Sequence, residues 1–228
     1  MKITQDIPDR YWFGEKPRLI KEHRGKEVDD LIDAVDKGAD VYPWETTYKA
    51  FPGPNSNTFT AWIAEHVSGQ SLHEHFVHIA EAAGIEHTFH MSTDHTGIPN
   101  TNGGVCLSAR DLARFGLIFT RQSRGINGKR VGSHPFMDAA RGCTGPVYPF
   151  PDDHIHYGNQ LMTNGRWIGH GGWGGQLLIV EPETATVVVF FSVLENQSAS
   201  DDNHKRAIVQ MAEDVIELCI AHETTGTL

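Results

Sequence analysis

The stretch that decides the fold reads Trp167-Ile168-Gly169-His170-Gly171-Gly172-Trp173-Gly174-Gly175-Gln176. An apolar run follows from Leu177 to Val180, a polar, turn-like segment spans Glu181–Ala185, and a β-branched and aromatic run extends from Thr186 to Leu194. Two apolar runs joined by a short polar segment are typical of adjacent antiparallel strands. The sequence therefore predicts a β-hairpin directly after a glycine-rich segment.

The glycines around His170 bring bare backbone to the start of this hairpin. Because glycine has no Cβ, a strand end made of it lets a ligand approach the main chain and lets N–H groups point at an incoming oxygen. The same glycines also suit a tight bend or a β-bulge. Taken alone, the stretch leaves both interpretations open.

A second recognisable block runs from Gly103 to Gly116 and marks the start of a helix. Ser108 and Asp111 have the spacing of a capping box, in which each side chain satisfies an N–H of the first helical turn; here Asp replaces the usual Glu or Gln. Three apolar residues then recur at helical spacing, which predicts a side that faces a core. They are Leu112, Phe115 and Phe119.

In this order and separation, the two blocks resemble the penicillin-recognising serine hydrolases: class C β-lactamases, D-Ala-D-Ala carboxypeptidases, and related esterases and amidases such as the nylon-oligomer hydrolases. The resemblance runs from about Glu65 to Ala221. It implies an α/β chain of the α+β type, with an antiparallel sheet flanked by helices, of which this chain is expected to hold only part. It also implies acyl-enzyme hydrolysis of an amide, ester or β-lactam, with no cofactor.

His170-Gly171-Gly172 matches the His-x-Gly form of that family's third active-site element, which lies on a sheet-edge strand. By this resemblance, His170 would polarise the site and hold the substrate, while the backbone N–H of Trp173 would be one of two oxyanion donors. Five further residues are expected to contact the substrate. They are Asn55, Asn57, Gly103, Gly104 and Trp167.

The other two catalytic elements of the family are missing or altered. Its nucleophile is a serine in a Ser-x-x-Lys turn, whose lysine takes the serine proton, and no serine of this chain has a lysine three places later. Its catalytic tyrosine is replaced by Asn55, just before a helix that contains Trp62, and an amide is not a general base near neutral pH. The sequence therefore predicts the scaffold of a serine hydrolase without its nucleophile.

The N-terminal third has a different character and contains the string Pro52-Gly53-Pro54-Asn55-Ser56-Asn57-Thr58-Phe59. From about Pro8 to Ala64 it resembles an uncharacterised bacterial family, with this string as the signature. We therefore expect an N-terminal segment at residues 1–64, a β-lactamase-like portion at 65–222 and a tail at 223–228. The two patterns meet near Trp62–Glu65, which indicates a fused or recombined chain.

Ser56 permits a rival chemistry. It follows a rigid Pro-Gly-Pro turn and opens a predicted helix, where N–H groups can activate a hydroxyl nucleophile. The simpler interpretation is that Asn55, Ser56 and Asn57 cap a helix that begins near Thr58.

Three hypotheses follow: a serine-hydrolase relative with doubtful activity of its own, a non-catalytic relative that binds a peptidoglycan-like or amide ligand, and an N-terminal hydrolase that uses Ser56.

The histidine-rich string His73-Glu74-His75-Phe76-Val77-His78 resembles a metal-binding pattern, since His75 and His78 would share a helix face. It is not His-Glu-x-x-His, however, no cysteine pair accompanies it, and no acidic third ligand has a fixed place. We interpret it as solvated helix surface and predict no metal site.

Composition narrows the partners and the compartment. The 228 residues carry a formal net charge of −10, which would repel nucleic acid and anionic membranes. The resemblance implies a small amide, ester or β-lactam as the partner. Three widely spaced cysteines suit a reducing compartment. The first residues lack the apolar core of a signal segment, and no apolar run approaches the ~20 residues of a membrane span. We expect a cytoplasmic chain, although relatives in the resembled family are often periplasmic.

The remaining patterns predict a short helix at Lys26–Val35, a strand at Tyr157–Leu161, and a final helix from about His204 to His222, capped by Asn203 and packed on the sheet that holds His170. Its predicted apolar stripe comprises Ala207, Ile208, Met211, Val215, Leu218 and Cys219.

The run from Thr186 to Leu194 carries a further expectation. An altered N-terminus would leave this strand with an open apolar edge, which predicts aggregation or a homo-oligomer through that edge unless Ile3–Phe13 covers it.

Overall fold

The computed structural model describes residues 24–49, 54, 56–93, 97–100, 103–120, 123–131, 134–143, 145, 147, 154–172, 174–194 and 201–225. Its helices are α1 (Lys26–Asp40), α2 (Ser56–Ser68), α3 (Leu72–Ala83), α4 (Ala109–Leu117), α5 (His134–Arg141) and α6 (Asp202–Thr225). Its strands are β1 (His90–Met91), β2 (Val105–Cys106), β3 (His156–Gly158), β4 (Leu161–Thr163), β5 (Ile168–Gly171), β6 (Leu177–Glu181) and β7 (Thr186–Phe190). Within these residues, no helix combines the length and apolar character that crossing a membrane requires.

The chain divides into two compact units. The first holds Met1–Ile79 and Thr88–Cys106, and the second holds Ala80–His87 and Leu107–Leu228. The boundary that the sequence places between residues 64 and 65 stays a prediction.

In the first unit, α1 and α2 pack around aromatic side chains. The ring of Tyr42 lies 5.0 Å from that of Phe59 and 5.5 Å from that of Trp44, in edge-on geometry. The indole N–H of Trp62 donates to the carbonyl oxygen of Gly38 at 2.9 Å, which ties the two helices together. Helix α1 is longer than predicted, since it continues beyond Val35 to Asp40.

The second unit is built on a five-stranded antiparallel sheet with the order β3-β4-β5-β6-β7. The predicted hairpin after the glycine-rich segment is confirmed: β6 and β7 pair from Leu177 opposite Phe190 to Glu181 opposite Thr186. The buried carboxylate of Glu181 accepts the N–H and the hydroxyl of Thr184, at 2.7 and 2.6 Å. This side chain closes the turn and so sets the register of the hairpin.

The segment Tyr157–Leu161 is a turn between two strands rather than the single strand predicted. Asn159 and Gln160 have φ angles of 52° and 66°, the left-handed values of a two-residue hairpin turn. Strand β3 folds back on β4 around them. Asn tolerates this conformation, but the second position of such a turn is usually Gly, and Gln adopts the conformation less readily. The Asn159-Gln160 pair therefore gives only a weak sequence signal of a turn.

Helices cover both faces of the sheet, so the predicted fold class, an antiparallel sheet flanked by helices, is confirmed. Helix α6 covers one face, as predicted, and α4 and α5 cover the other. The core under α6 consists of Ile155, Met162, Trp167, Leu177, Ile179, Ile208, Val209, Ala212 and Ile216. The core on the opposite face contains Met137, Ala140, Ile168 and Val180, with Phe119 packed against it.

The serine half of the predicted capping box is present at the start of α4. Ser108 is the N-cap, and its side-chain oxygen accepts the N–H of Asp111 at 3.1 Å. The carboxylate of Asp111 is fully buried and, among other partners, accepts the N–H of Glu86, a residue outside the helix, at 3.0 Å. The cap therefore also anchors the segment before β1.

The start and the buried face of α6 both differ from prediction. The helix begins at Asp202, its cap is Asp201, whose Oδ1 accepts the N–H of His204 at 2.9 Å, and Asn203 lies inside the first turn. Of the predicted stripe, the side chains of Met211, Val215, Leu218 and Cys219 are exposed. Ile208 is the one member of the predicted stripe that is buried, and Val209, Ala212 and Ile216 are buried with it.

The contacts of Glu213 explain this rotation of α6. Its Oε1 accepts the indole N–H of Trp167 at 2.8 Å and the amide of Asn164 at 3.0 Å. The helix carries apolar residues on two neighbouring rows, so its periodicity alone permits either row to be buried. The hydrogen bonds to Glu213 select the row beside it.

Candidate functional site

The predicted site residue His170 lies near the end of β5, with its side chain exposed. The preceding residues of the strand, Ile168 and Gly169, are buried. A Cβ at Gly169 would lie 2.3 Å from the carbonyl oxygen of Leu178, so this position requires glycine for β5 to approach β6. Strand β5 packs closely against β6 at Gly169, and the ring of His170 is exposed to solvent. The imidazole therefore lies at the surface on a well-packed strand.

The sheet-edge location expected for this element needs a correction. Strand β5 is the central strand of the described sheet, because β4 and β6 pair on either side of it. Its pairing with β4 ends at Gly169, however, while His170 and Gly171 pair only with β6. Strand β5 extends beyond its pairing with β4. His170 and Gly171 are therefore paired on one side only, although β5 as a whole is not an edge strand of the described sheet.

The hydroxyl of Tyr157 is a side-chain hydrogen-bond partner of the imidazole. It lies 3.1 Å from Nε2 of His170, and the two rings meet edge to face with centroids 5.7 Å apart. Nδ1 of His170 lies 2.7 Å from the carbonyl oxygen of Gly171. A carbonyl only accepts, so Nδ1 carries the proton, and in the neutral ring Nε2 accepts the Tyr157 hydroxyl proton.

Sequence reasoning missed Tyr157 because it placed this residue inside a single strand. A turn at Asn159 and Gln160 puts Tyr157 opposite Met162, which in turn lies opposite Gly169, next to His170. The turn at Asn159 and Gln160 is the sequence signal from which the proximity of Tyr157 and His170 could have been predicted.

The glycine segment, which comprises Gly171, Gly172, Gly174 and Gly175, follows His170, and hydrogen bonds close its main chain. The N–H of Gly172 donates to the carbonyl oxygen of Gln176 at 2.7 Å, and the N–H of Gly175 donates to that of Gly172 at 3.3 Å. The N–H of Gly174 donates to Oε1 of Gln176 at 3.1 Å. Trp173, whose N–H is the predicted oxyanion donor, lies outside the described residues, and its role stays a prediction.

The remaining predicted site residues are spread over both units. Trp167 belongs to the core, since 1% of it is exposed and its indole N–H is bonded to Glu213, so its contacts are those of a packing residue. Gly103 and Gly104 are exposed in the first unit, before β2, where a Cβ on Gly104 would meet the Ser92 hydroxyl at 1.9 Å. This close approach gives Gly104 a structural reason to be glycine.

The N-terminal candidates lie at the start of α2. Ser56 is the first residue of this helix and Asn57 the second, while Asn55 and the side chains of Ser56 and Asn57 lie outside the described part of the chain. The helix thus begins before Thr58, the predicted start. The nucleophile and capping interpretations of Ser56 both remain predictions.

The histidine-rich string forms part of α3. Nε2 of His75 lies 3.3 Å from the Ser68 hydroxyl at the end of α2. In the described part of the chain, no group of three or more His, Cys, Asp or Glu side chains is arranged to hold a metal ion.

The five-stranded antiparallel sheet between helical layers is that of a β-lactamase-like fold, as comparison with a solved structure shows. Among solved structures, the chain is similar to a putative 6-aminohexanoate-dimer hydrolase from Bacillus anthracis, with a TM-score of 0.55 and 21% sequence identity. The match covers 92% of this chain and 58% of the hydrolase. The chain therefore spans less than two thirds of that protein, and the similarity is one of fold.

Residues 1–79 match a family model described as a protein of unknown function, DUF3750. No curated protein matches the chain in sequence. That the string Pro52–Phe59 is the signature of the N-terminal family stays a prediction.

Proposed function

We propose that this chain is a β-lactamase-type hydrolase relative that binds the carbonyl group of a small amide, ester or β-lactam beside His170. The observation that carries the proposal is the exposed imidazole at the end of β5, with its tautomer set by Gly171 and its Nε2 hydrogen-bonded to the Tyr157 hydroxyl. The fold supports it, because a putative 6-aminohexanoate-dimer hydrolase shares that fold.

The chemistry available at this position is hydrogen bonding and proton movement. The Tyr157 hydroxyl has a single proton, so it donates either to Nε2 of His170 or to a ligand oxygen. When the imidazole is protonated, Nε2 donates to the phenol oxygen and the phenol proton can point at the ligand. The residues of the glycine segment have no side chains, so a ligand beside His170 can approach their main chain closely. Together these groups suit a polarised carbonyl.

Formation of an acyl-enzyme requires an activated nucleophile as well. The chain contains no Ser-x-x-Lys, so we expect binding of the carbonyl compound without serine acylation. Ser56 as the nucleophile of a separate N-terminal activity is the alternative, which rests on its place at the start of α2.

Two measurements test this proposal. The first is intact-protein mass after incubation with a fluorophosphonate and with benzylpenicillin, for which no adduct is expected. An adduct mapped to a serine would overturn the claim that the nucleophile is missing. If that adduct or an associated hydrolysis disappears in Ser56→Ala, the N-terminal alternative is correct.

The second measurement is calorimetric titration with benzylpenicillin and with the linear dimer of 6-aminohexanoate. We expect saturable binding of at least one compound, lost in His170→Ala and weakened roughly tenfold in Tyr157→Phe, as removal of one hydrogen bond predicts. His73→Ala, at an exposed histidine of α3, is the matched control and should bind like the wild type. The absence of binding to the wild type would overturn the proposal.

A further inference from the structure

We propose that Gln176, Ser192 and His204 are positioning residues that hold the glycine segment in the shape that faces a ligand at His170. This inference rests on the proposed function and assigns the parts of the site that do not touch the ligand. The three residues come from the start of β6, the residues after β7 and the first turn of α6. They act on the glycine segment through hydrogen bonds rather than through packing alone.

The side chain of Gln176 is the first of these connections. Its Oε1 accepts the N–H of Gly174 at 3.1 Å, and its Nε2 donates to the carbonyl oxygen of Ser192 at 3.1 Å. An amide has an acceptor at one end and a donor at the other, so it can satisfy both backbone groups at once. The glycine segment is thereby tied to the chain that leaves β7.

The hydroxyl of Ser192 makes the second connection. It lies 2.9 Å from the carbonyl oxygen of Gly175, 3.2 Å from that of Gly174 and 3.1 Å from Nε2 of His204. Two carbonyl oxygens at this distance would repel a hydroxyl whose proton points elsewhere, so the proton faces them. Nε2 of His204 must then donate to the serine oxygen.

The tautomer with a proton on Nε2 of His204 satisfies all these contacts at once, and it argues against reading the pair as a nucleophile with its base. A serine nucleophile needs a histidine that accepts its proton, whereas His204 here donates to the serine and the serine donates to the backbone. Ser192 and His204 therefore hold the glycine segment in place, an arrangement that we call the clip, and they do not form a nucleophile with its base.

Gly175 has no room for a side chain beside Ser192 and His204. This residue is buried with a φ of +87°, in the left-handed region that favours glycine. A Cβ there would lie 2.3 Å from the Ser192 hydroxyl and 3.3 Å from the His204 ring. The carbonyl oxygen of Gly175 can reach Ser192 only because no side chain separates them.

Replacement of His204 by a residue with a donor and by one without tests the inference. His204→Gln keeps an N–H donor at the end of its side chain, and His204→Leu removes it at similar volume. We expect amide hydrogen exchange at Gly172 and Gly174 to become about tenfold faster in His204→Leu and to stay near the wild-type rate in His204→Gln, as loss of one hydrogen bond predicts. Ser192→Ala should behave like His204→Leu.

The same variants are titrated with benzylpenicillin and the 6-aminohexanoate dimer, and their thermal midpoints are measured. Weaker binding in His204→Leu, restored in His204→Gln at an equal midpoint, supports a positioning role rather than a general loss of stability. Equal exchange rates in all variants, or equal damage by Leu and Gln, overturns the clip. Faster exchange in His204→Leu with no binding by the wild type retains the clip and overturns only the proposed function.

Discussion

Asp111 is the buried charge around which the start of α4 is organised. Besides the Glu86 N–H, its carboxylate accepts Nδ1 of His87 at 2.8 Å and the Ser108 hydroxyl at 2.8 Å, and it pairs with Arg114 at 2.9 Å. A fully buried carboxylate is tolerated only when such partners replace water. One residue therefore joins the helix cap to the segment that precedes β1.

Asp111→Asn tests this role at constant size. The amide keeps one acceptor oxygen and adds an NH₂ group that faces donors, so several of these hydrogen bonds are lost. We expect the free energy of unfolding, measured by urea titration, to fall by about 3 kcal/mol. Asp138→Asn, at an exposed position of α5, is the control and should change it by less than about 0.5 kcal/mol. Similar effects of both substitutions would contradict the assignment.

The acid response of stability follows from the same carboxyl. Burial alone raises the pKa of Asp111, but hydrogen bonds led by the Glu86 N–H and the Ser108 hydroxyl outweigh burial and hold this pKa well below its usual range. The unfolded value is about 3.9, so the stabilisation is fully present above it and is lost as pH falls through the folded-state value.

We therefore expect the stability difference between the wild type and Asp111→Asn to be constant from about pH 5 to 8 and to shrink below about pH 4. Urea titrations at a series of pH values measure it. A difference that grows towards acid pH would show that the pKa of this carboxyl is raised by folding rather than lowered.

At the scale of elements, α6 illustrates how a distant hydrogen bond decides which side of a helix is buried. Its neighbours Val215 and Ile216 are both β-branched, yet Val215 is 38% exposed and Ile216 is 1% exposed. Glu213, bonded to Trp167 and Asn164, fixes the rotation that produces this contrast. The indole that the sequence assigns to substrate contact thus aligns the helix on the sheet.

Truncation of the two neighbours measures this rotation directly. Ile216→Ala should lower the free energy of unfolding by about 3 kcal/mol, because it leaves a cavity in the core under α6. Val215→Ala should cost less than about 1 kcal/mol, because that side chain is already partly in water. Thermal or urea unfolding of both proteins distinguishes this packing from the originally predicted stripe, for which the order of the two effects would be reversed.

At the scale of the whole molecule, β7 ends the sheet. Among the described residues it pairs only with β6, and Thr186–Phe190 contains neither a charged residue nor proline. Beyond it, Phe191 is 44% exposed and Val193 is 87% exposed. Long apolar edges of this kind pair with other strands unless a charge or a covering segment prevents it. Ile3–Phe13, the segment expected to decide this, lies outside the described residues.

We propose that a second copy of the chain pairs along β7. Val189→Lys places a charge on this strand, as edge strands that stay unpaired usually have, and should give a monomer in light scattering coupled to size-exclusion chromatography. The wild type should associate as its concentration rises, and Val189→Thr, β-branched and uncharged, should do the same. A wild type that stays monomeric at every concentration would contradict this edge pairing.

The sequence by itself determined the features that depend on near neighbours. Apart from the class of fold, which the family resemblance implied, the apolar runs on either side of Glu181–Ala185 were enough to predict the β6–β7 hairpin, and Ser108 was recognisable as a cap. Each of these follows from backbone preferences and side-chain spacing within a few residues.

Only the tertiary structure decided which distant groups meet. Tyr157 and His170 are 13 positions apart and come together because an inconspicuous turn folds β3 onto β4, while Trp167 and Glu213, 46 positions apart, set the buried side of α6. Ser192 and His204 join the glycine segment for the same reason. A hydrogen bond between segments depends on how the sheet and helices pack, and local sequence patterns do not encode that geometry.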